Sequence, residues 1–231
     1  MVCTVEEVVK GPRHYRSPRR EAQAAATRAE IAAAARRLFI AQGYPRTTLA
    51  DIADAAGVAV PTVKLAYRTK PLVLVAAWDH AVKDGPDPRP VVEQEWFREM
   101  ISTPDPREHL RLQVAGSRLV KSRIAPIIEV VRAAAPADQE IDALWEKMQA
   151  EFHDNQRHTI RALRGKGPLR AGLSEDEATD LLYTLNHPTL YQMLVGHLGW
   201  SAERYEEWLT RILIDQLLEP SVRNGRAPTA G

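Results

Sequence analysis

The chain contains 231 residues, of which 45% are hydrophobic and 26% are charged. This composition is typical of a globular protein that buries a core, and it excludes a disordered or fibrous chain. No apolar run approaches about 18 residues and the start lacks a signal-peptide pattern, so the sequence predicts neither a membrane span nor secretion. The single cysteine, Cys3, excludes an intrachain disulfide and fits a cytoplasmic protein.

Basic residues are concentrated near the N-terminus. Between Lys10 and Lys70 the chain carries twelve basic and four acidic residues, a net charge of +8, so the remainder carries −7 for a total of +1. A basic block joined to an acidic remainder favours a nucleic-acid-binding module attached to a second module. A solvated basic helix face would have the same composition, and charge alone does not decide between them.

The first third of the chain predicts a mobile basic arm followed by four helices. Gly43 follows an alanine-rich helical pattern as a C-terminal glycine would. Thr48, with Asp51 three residues later, predicts a capped second helix, and Gly57 predicts the turn that ends it. Pro61 fits the first turn of a third helix. The predicted segments are the arm over 1–18 and helices over 20–42, 48–56, 60–67 and 70–82.

Beyond a proline-rich break at 84–90, the apolar spacing is helical to the end of the chain. Ser174 and Glu177 form a second predicted capping box. No segment alternates with a period of two for long enough to predict a strand, and no long repeat occurs. The sequence therefore predicts an all-α protein. The remaining predicted helices cover 91–102, 105–122, 125–134, 137–164, 174–199 and 202–218.

The second and third predicted helices have the spacing of a helix-turn-helix. This motif requires a small residue where the helices touch and a glycine with positive φ at the turn. Ala53 and Gly57 occupy these positions. Apolar residues at the required offsets are Ile52, Ala56, Val58, Val63 and Ala66.

Residues 20–82 as a whole resemble the N-terminal domain of TetR-family transcriptional regulators. The segments that carry the resemblance are TRAEI at 27–31, ARRLFIAQGY at 35–44, TTLADIA at 47–53, AGV at 56–58, TV at 62–63 and TK at 69–70. The resemblance implies an all-α homodimer with a three-helix DNA-binding domain and a C-terminal helical domain that binds a small-molecule effector and dimerises. The implied parts are a flexible basic arm over 1–18, the DNA-binding domain over 19–68, the effector domain over 69–220 and a disordered tail over 221–231.

The function implied by the resemblance is that of a ligand-responsive regulator, a repressor released from a palindromic DNA operator by a small molecule. The alternative is a helical ligand-binding or adaptor protein with a degenerate helix-turn-helix. The family usually has tyrosine where Lys64 stands and often an aromatic residue where Ala66 stands, which motivates this alternative. Competition between operator-like palindromes and random DNA separates the two hypotheses.

DNA-binding residues are carried over from the resemblance to three parts of the chain. The third helix would read bases, Thr48 and Lys70 would bind phosphates, and arginines of the arm would either enter the minor groove or only raise non-specific affinity. The predicted set is Arg13, Arg16, Arg19, Arg20, Thr48, Val60, Pro61, Thr62, Lys64, Leu65, Tyr67 and Lys70.

The C-terminal part carries no catalytic or metal-binding motif, so the sequence predicts no enzyme, no metal and no cofactor. Aromatic residues are spaced to line a pocket between helices, although each of them is also typical of a plain core residue. Pro188, after Asn186 and His187, predicts a bend that either hosts an effector or curves a dimer helix. The predicted effector-binding residues are Trp96, Trp145, Met148, Phe152, Tyr183, His187 and Tyr191.

Apolar stripes on the last two predicted helices suit a four-helix interface between two copies of the chain. Packing of the same residues within one chain is the alternative. A charge at Leu194 or Leu213 is expected to produce monomers. The stripes consist of Leu181, Leu182, Leu185, Leu190, Leu194 and Leu198, then Trp208, Leu209, Ile212, Leu213 and Leu217.

Overall fold

The computed structural model describes residues 18–83 and 93–220, and within these ranges the chain is helical apart from turns and one isolated bridge between Leu169 and Leu218. The prediction of an all-α protein is confirmed. The predicted arm before Pro18 and the tail after Pro220 lie outside the described residues. The helices are α1 (Pro18–Gln42), α2 (Leu49–Ala55), α3 (Val60–Tyr67), α4 (Lys70–Lys83), α5 (Glu95–Ser102), α6 (Pro106–Ala134), α7 (Gln139–Arg164), α8 (Glu175–Leu185), α9 (Pro188–Tyr191) and α10 (Ala202–Leu217).

Local sequence sets the ends of the N-terminal helices. Gly43, with a φ of +80°, ends α1, because a residue without Cβ adopts this conformation at little cost. The predicted capping box at the start of α2 is confirmed, since the Asp51 N–H donates to Thr48 Oγ1 at 3.1 Å and the Thr48 N–H donates to Asp51 Oδ2 at 2.8 Å. These caps fix where the short helices begin and end.

One apolar core is shared by the N-terminal helices and the middle of the chain. Phe39 of α1, Ile52 of α2 and Leu74 of α4 are fully buried in it. Ile127 of α6 and Ile141 of α7 belong to the same cluster. A movement of α6 or α7 therefore acts directly on the side chains that position α2 and α3.

The predicted break between helices 105–122 and 125–134 is wrong, because α6 continues through Pro126. Proline removes one N–H and leaves the carbonyl four residues earlier, at Ser122, without its helical partner. Ser122 is exposed, so water can satisfy that carbonyl, while Ile124 and Ile127 are buried on either side. Burial of these neighbours favours the continuous 29-residue helix.

The prediction of one helix over 174–199 is also wrong. Helix α8 ends at Leu185, and α9 begins with Pro188 after His187 adopts an extended backbone with φ −66° and ψ 138°. A residue before proline is disfavoured in the α conformation, which explains the break. The His187 Nδ1 atom caps the new helix by accepting from the Thr189 N–H at 3.1 Å. A π-helical segment over Gln192–His197 follows α9.

A second apolar core lies between α6, the end of α7, and α8 to α10. Leu182, Leu209, Leu213 and Tyr205 are fully buried in it. Leu213 is therefore a core residue of its own chain, as the alternative of packing within one chain predicted, and a charge there is expected to destabilise the fold and not simply to separate two copies. Among the described helices, none is both long and apolar enough to cross a membrane.

Candidate functional site

The turn between α2 and α3 has the hydrogen bonds of a helix end that requires glycine. The Gly57 N–H donates to the Asp54 carbonyl at 3.1 Å, and the Val58 N–H donates to the Ala53 carbonyl at 3.0 Å. Gly57 has a φ of +66°, and a Cβ added there would meet nothing within 4 Å. The dihedral angle, rather than space, therefore requires the glycine.

Helix α3 buries one side and presents the other to solvent. Val63 is fully buried, and Val60 is half-buried against the shared core. Pro61 and Lys64 are exposed, and Leu65 is 87% exposed, the largest value among the large hydrophobic side chains of the described residues. A single exposed leucine is common on protein surfaces, so the role of this face depends on the domain that presents it.

The remaining described residues of the predicted DNA-binding set lie in the first turn of α1, before α2, on α3 and at the start of α4. Arg19 and Arg20 are exposed in the first turn of α1, whereas Arg13 and Arg16 lie outside the described residues. Lys70 Nζ lies 4.2 Å from the centre of the Tyr44 ring, and burial lowers its pKa from the ordinary value.

Tyr67 differs from the other members of the set, because its hydroxyl is already bonded within the chain. The Tyr67 hydroxyl donates to the Arg28 carbonyl of α1 at 2.9 Å. Burial raises the pKa of this phenol, so it stays protonated and keeps the bond. Tyr67 thus fixes α3 against α1, and a contact with DNA would have to use the rest of its ring.

A cavity of about 580 Å³ lies between the end of α4, α5, α6, α7 and the break between α8 and α9. Trp96 and Phe152 line it, so the structure brings two of the seven predicted effector residues to one cavity. The Trp96 ring lies against Gly116 of α6, where an added Cβ would be 2.0 Å from the ring. The Trp96 Nε1–H donates to Gln94 Oε1 at 2.8 Å, which holds the indole in this position.

Three of the other predicted residues form an aromatic cluster behind Phe152. The ring centres of Tyr183 and His187 are 5.4 Å apart, and those of Trp145 and His187 are 6.5 Å apart. Burial, with a smaller contribution from Lys121, lowers the pKa of His187 to about 4, so this imidazole is neutral at pH 7. Met148 lies in the shared core, and Tyr191 packs on Tyr205 with ring centres 4.9 Å apart.

Comparison with known proteins identifies the N-terminal unit. The family model of bacterial regulatory proteins of the tetR family matches residues 31–77, the end of α1 through most of α4. The sequence of α1 to α4 is therefore similar to the N-terminal domain of tetR-family regulators. A comparison with curated protein sequences found no match.

Solved structures of regulators have the same fold over most of the chain. A protein from Saccharomonospora viridis, assigned as a transcriptional regulator and solved in complex with choline, is 22% identical, with a TM-score of 0.66, over 85% of this chain and 100% of the other. The fatty acid degradation regulator FadR from Bacillus halodurans is 16% identical, with a TM-score of 0.66, over 86% and 96%. NalD, the secondary repressor of the MexAB-OprM multidrug efflux pump in Pseudomonas aeruginosa, is 18% identical, with a TM-score of 0.64, over 86% and 98%.

Two hydrogen bonds join the TetR-type domain to the helices around the cavity. Arg36 Nη2 of α1 donates to the Arg123 carbonyl of α6 at 3.0 Å. The Tyr44 hydroxyl donates to Asp138 Oδ2 at 3.3 Å, and Asp138 caps the start of α7. Burial and the Asp138 carboxylate raise the pKa of the Tyr44 phenol, so the donor keeps its proton. Both helices that line the long sides of the cavity are therefore bonded to the N-terminal domain.

On the polar side of the cavity, the bend at Asn186 was indicated by the sequence, whereas Lys121, Ser117 and Gln156 were missed. Lys121 of α6 donates to Asn186 Oδ1, and also to the Tyr205 hydroxyl at 3.0 Å. Asn186 accepts as well from the Ser117 hydroxyl at 3.1 Å and donates through Nδ2 to Gln156 Oε1 at 3.2 Å. Lys121 and Asn186 are 2% and 1% exposed. The break before Pro188 places Asn186 in this network.

Proposed function

We propose that the protein is a cytoplasmic transcriptional repressor that binds a palindromic operator as a homodimer and leaves it when a small molecule occupies the cavity. The observation that carries the proposal is the open face of α3 within a tetR-family domain, 87% exposed at Leu65. The solved relatives described as regulators, one a repressor and one in complex with choline, support a regulator with a small-molecule ligand.

In this proposal α3 enters the major groove. Lys64 donates to guanine O6 or N7, Leu65 and Pro61 contact thymine methyl groups, and Thr62 offers its hydroxyl to a base edge. Lys64 and Thr62 make the hydrogen bonds to base edges. The neighbouring side chains of Val60, Pro61 and Leu65 have no donor or acceptor.

Phosphate and minor-groove contacts would orient the helix. The Thr48 hydroxyl oxygen accepts a hydrogen bond from the Asp51 backbone N–H. The hydroxyl hydrogen is therefore left to donate to a phosphate oxygen. Lys70 supplies a second phosphate contact, and Tyr67 supports α3 from behind. Arg19 and Arg20, together with Arg13 and Arg16, would enter the adjacent minor groove.

Dimerisation would use the apolar surface left exposed between α9 and α10. Leu198 is 65% exposed and Met193 is 49% exposed, and Leu194 between them is half-buried. A two-fold axis through this surface brings two copies of α3 to one face of the DNA. Successive major-groove half-sites lie about 34–36 Å apart, which the dimer must match.

Release would follow from movement of the helices that share the cavity and the N-terminal core. Val82, near the end of α4, lines the cavity, and the same helix begins at Lys70 beside α3. Helix α6 carries Lys121 in the cavity wall and, two residues later, the Arg123 carbonyl that binds Arg36 of α1. A ligand that shifts either helix changes the separation of the two copies of α3.

In vitro selection from random double-stranded DNA tests the proposal. We expect the protein to enrich a palindrome and to bind it at least about a thousandfold more tightly than a scrambled sequence at the same salt concentration. A protein that binds all sequences equally, or binds none, contradicts the proposal and favours a helical ligand-binding or adaptor protein with a degenerate helix-turn-helix.

A further inference from the structure

We propose that the cavity binds a small organic acid, with the ligand's carboxylate paired to Lys121 and an apolar body between α5, α6 and α7. This inference rests on the proposed function, because it names the chemical class of the ligand that the cavity takes.

Lys121 has the geometry of an ammonium group that lacks one partner. In its charged form, which a bound anion would favour, its Nζ atom carries three donors. Two of them reach Asn186 and Tyr205, and both acceptors are neutral. Because Lys121 also lines the cavity, we infer that the third donor faces a ligand bound there.

The described residues supply no carboxylate to Lys121. Glu206, the acidic neighbour of Tyr205 in sequence, binds Arg118 instead, with Nε and Oε2 2.6 Å apart. Burial lowers the pKa of Lys121 well below its ordinary value. A buried ammonium without a counter-ion is costly, whereas an anion bound beside it restores the attraction that water would otherwise supply.

The rest of the cavity determines what kind of anion fits. Its walls are mostly apolar, with Trp96, Phe97, Val120 and Phe152 among the lining side chains, and Ser117, Gln156 and Asn186 lie on the polar side with Lys121. Lys121 is the buried cation of the cavity and balances a monoanion such as a carboxylate, whereas His158, the other basic lining residue, is exposed. A volume of about 580 Å³ lies within the usual range for sites that enclose a small ligand.

Binding of matched acids and amides tests this inference. Calorimetric titrations at pH 7 compare octanoate with its primary amide and 4-phenylbutyrate with its primary amide. Choline is titrated as a cationic probe. We expect each acid that binds to do so at least about tenfold more tightly than its amide, because a charge-assisted hydrogen bond is replaced by a neutral one. Choline is expected not to bind.

Two variants test whether Lys121 causes the preference for acid over amide. Lys121→Met removes the charge at nearly the same length and is expected to abolish the preference for acid over amide. Lys147→Met is the matched control, because Lys147 is exposed on α7 and its ion pair within the described part of the chain is with Glu151, four residues later, at 3.7 Å. We expect this control to keep the wild-type preference.

Equal affinity for acid and amide, no binding of either acid, a preference for choline, or an unchanged preference in Lys121→Met would each overturn the inference. If Lys121→Met does not fold, the inference is tested by the acid-over-amide preference of the wild type and by the loss of that preference in Lys121→Gln. The selected operator is titrated with the same preparation. Operator binding without an acid preference contradicts only the ligand class, and acid binding without operator binding contradicts only the proposed function.

Discussion

Lys64 on the surface of α3 and Lys121 beside the cavity lie in opposite surroundings. Lys64 is exposed next to Leu65, whereas Lys121 is 2% exposed and contacts only neutral partners among the described residues. Salt screens the attraction of the exposed charge to DNA but reaches the buried one much less. A lysine therefore makes DNA binding strongly salt-dependent at the surface of α3, and makes ligand binding selective for an anion in the cavity.

The largest expected effect is a difference in stability between a charge placed at a buried leucine and a charge placed at an exposed one. Leu213→Asp places a charge in the second core and is expected to cost more than about 4 kcal/mol of unfolding free energy, so that little folded protein remains. Leu198→Asp is expected to leave the thermal midpoint close to wild type while producing monomers with weak operator binding. Circular dichroism and sedimentation measure both, and a folded dimeric Leu213→Asp protein would contradict the assignment of Leu213 to the core.

Lys64→Ala is expected to cost about 1–3 kcal/mol per half-site on the selected operator and much less on scrambled DNA, because a base contact is lost. Lys147→Met, on the exposed surface of α7, is the control and is expected to leave operator affinity unchanged. Titrations at several salt concentrations measure both variants. Equal losses on both DNAs, with a salt slope lower by about one unit per contact, would show that Lys64 binds a phosphate.

Two glycines are expected to resist alanine for different reasons. Gly116→Ala drives a Cβ into the Trp96 ring and is expected to destabilise the protein by about 1–3 kcal/mol through overpacking. Gly57→Ala has room for its Cβ but must adopt a φ of +66°, at a cost of about 1 kcal/mol. Urea unfolding measures both, and carboxylate affinity should change only in Gly116→Ala, because only this glycine supports the cavity wall.

The smallest effect concerns the buried histidine of the aromatic cluster. The unfolded chain binds a proton at His187 below pH 6.5, whereas the folded protein does so only near pH 4. The stability that this histidine contributes is therefore lost as pH falls from about 6.5 to about 4. We expect His187→Gln to lose less stability than wild type over this range in urea unfolding. Identical pH profiles for wild type and His187→Gln would contradict the assignment of a buried neutral imidazole.

The N-terminal helices could be predicted closely from the sequence, because local interactions set their ends. The Thr48 and Asp51 pair and the glycines at 43 and 57 act over three or four residues, and the sequence shows them directly. Base-contact candidates on α3 could be placed for the same reason, since a helix of known register fixes which side chains face outward. Which of those side chains contact bases stays a prediction.

The cavity could not be predicted in the same way, because it depends on helices that are distant in sequence. Pro126 and Pro188 both look like helix breakers in the sequence, yet of the two only Pro188 interrupts a helix. At Pro126 the burial of neighbouring apolar side chains of α6 outweighs the lost hydrogen bond. A usable signal did exist in the spacing of Gln113, Ser117 and Lys121, which places polar residues every four positions among buried apolar neighbours. Such a polar row on a core-facing side marks a cavity wall or a buried network.

Coupling between the cavity and the operator is tested most directly by measuring the operator dissociation constant with and without the carboxylate that binds most tightly. We predict that a saturating carboxylate weakens operator binding by about 5- to 150-fold, and that the operator weakens carboxylate binding by the same factor. A carboxylate that raises the thermal midpoint of the protein but leaves the operator dissociation constant unchanged would contradict the coupling.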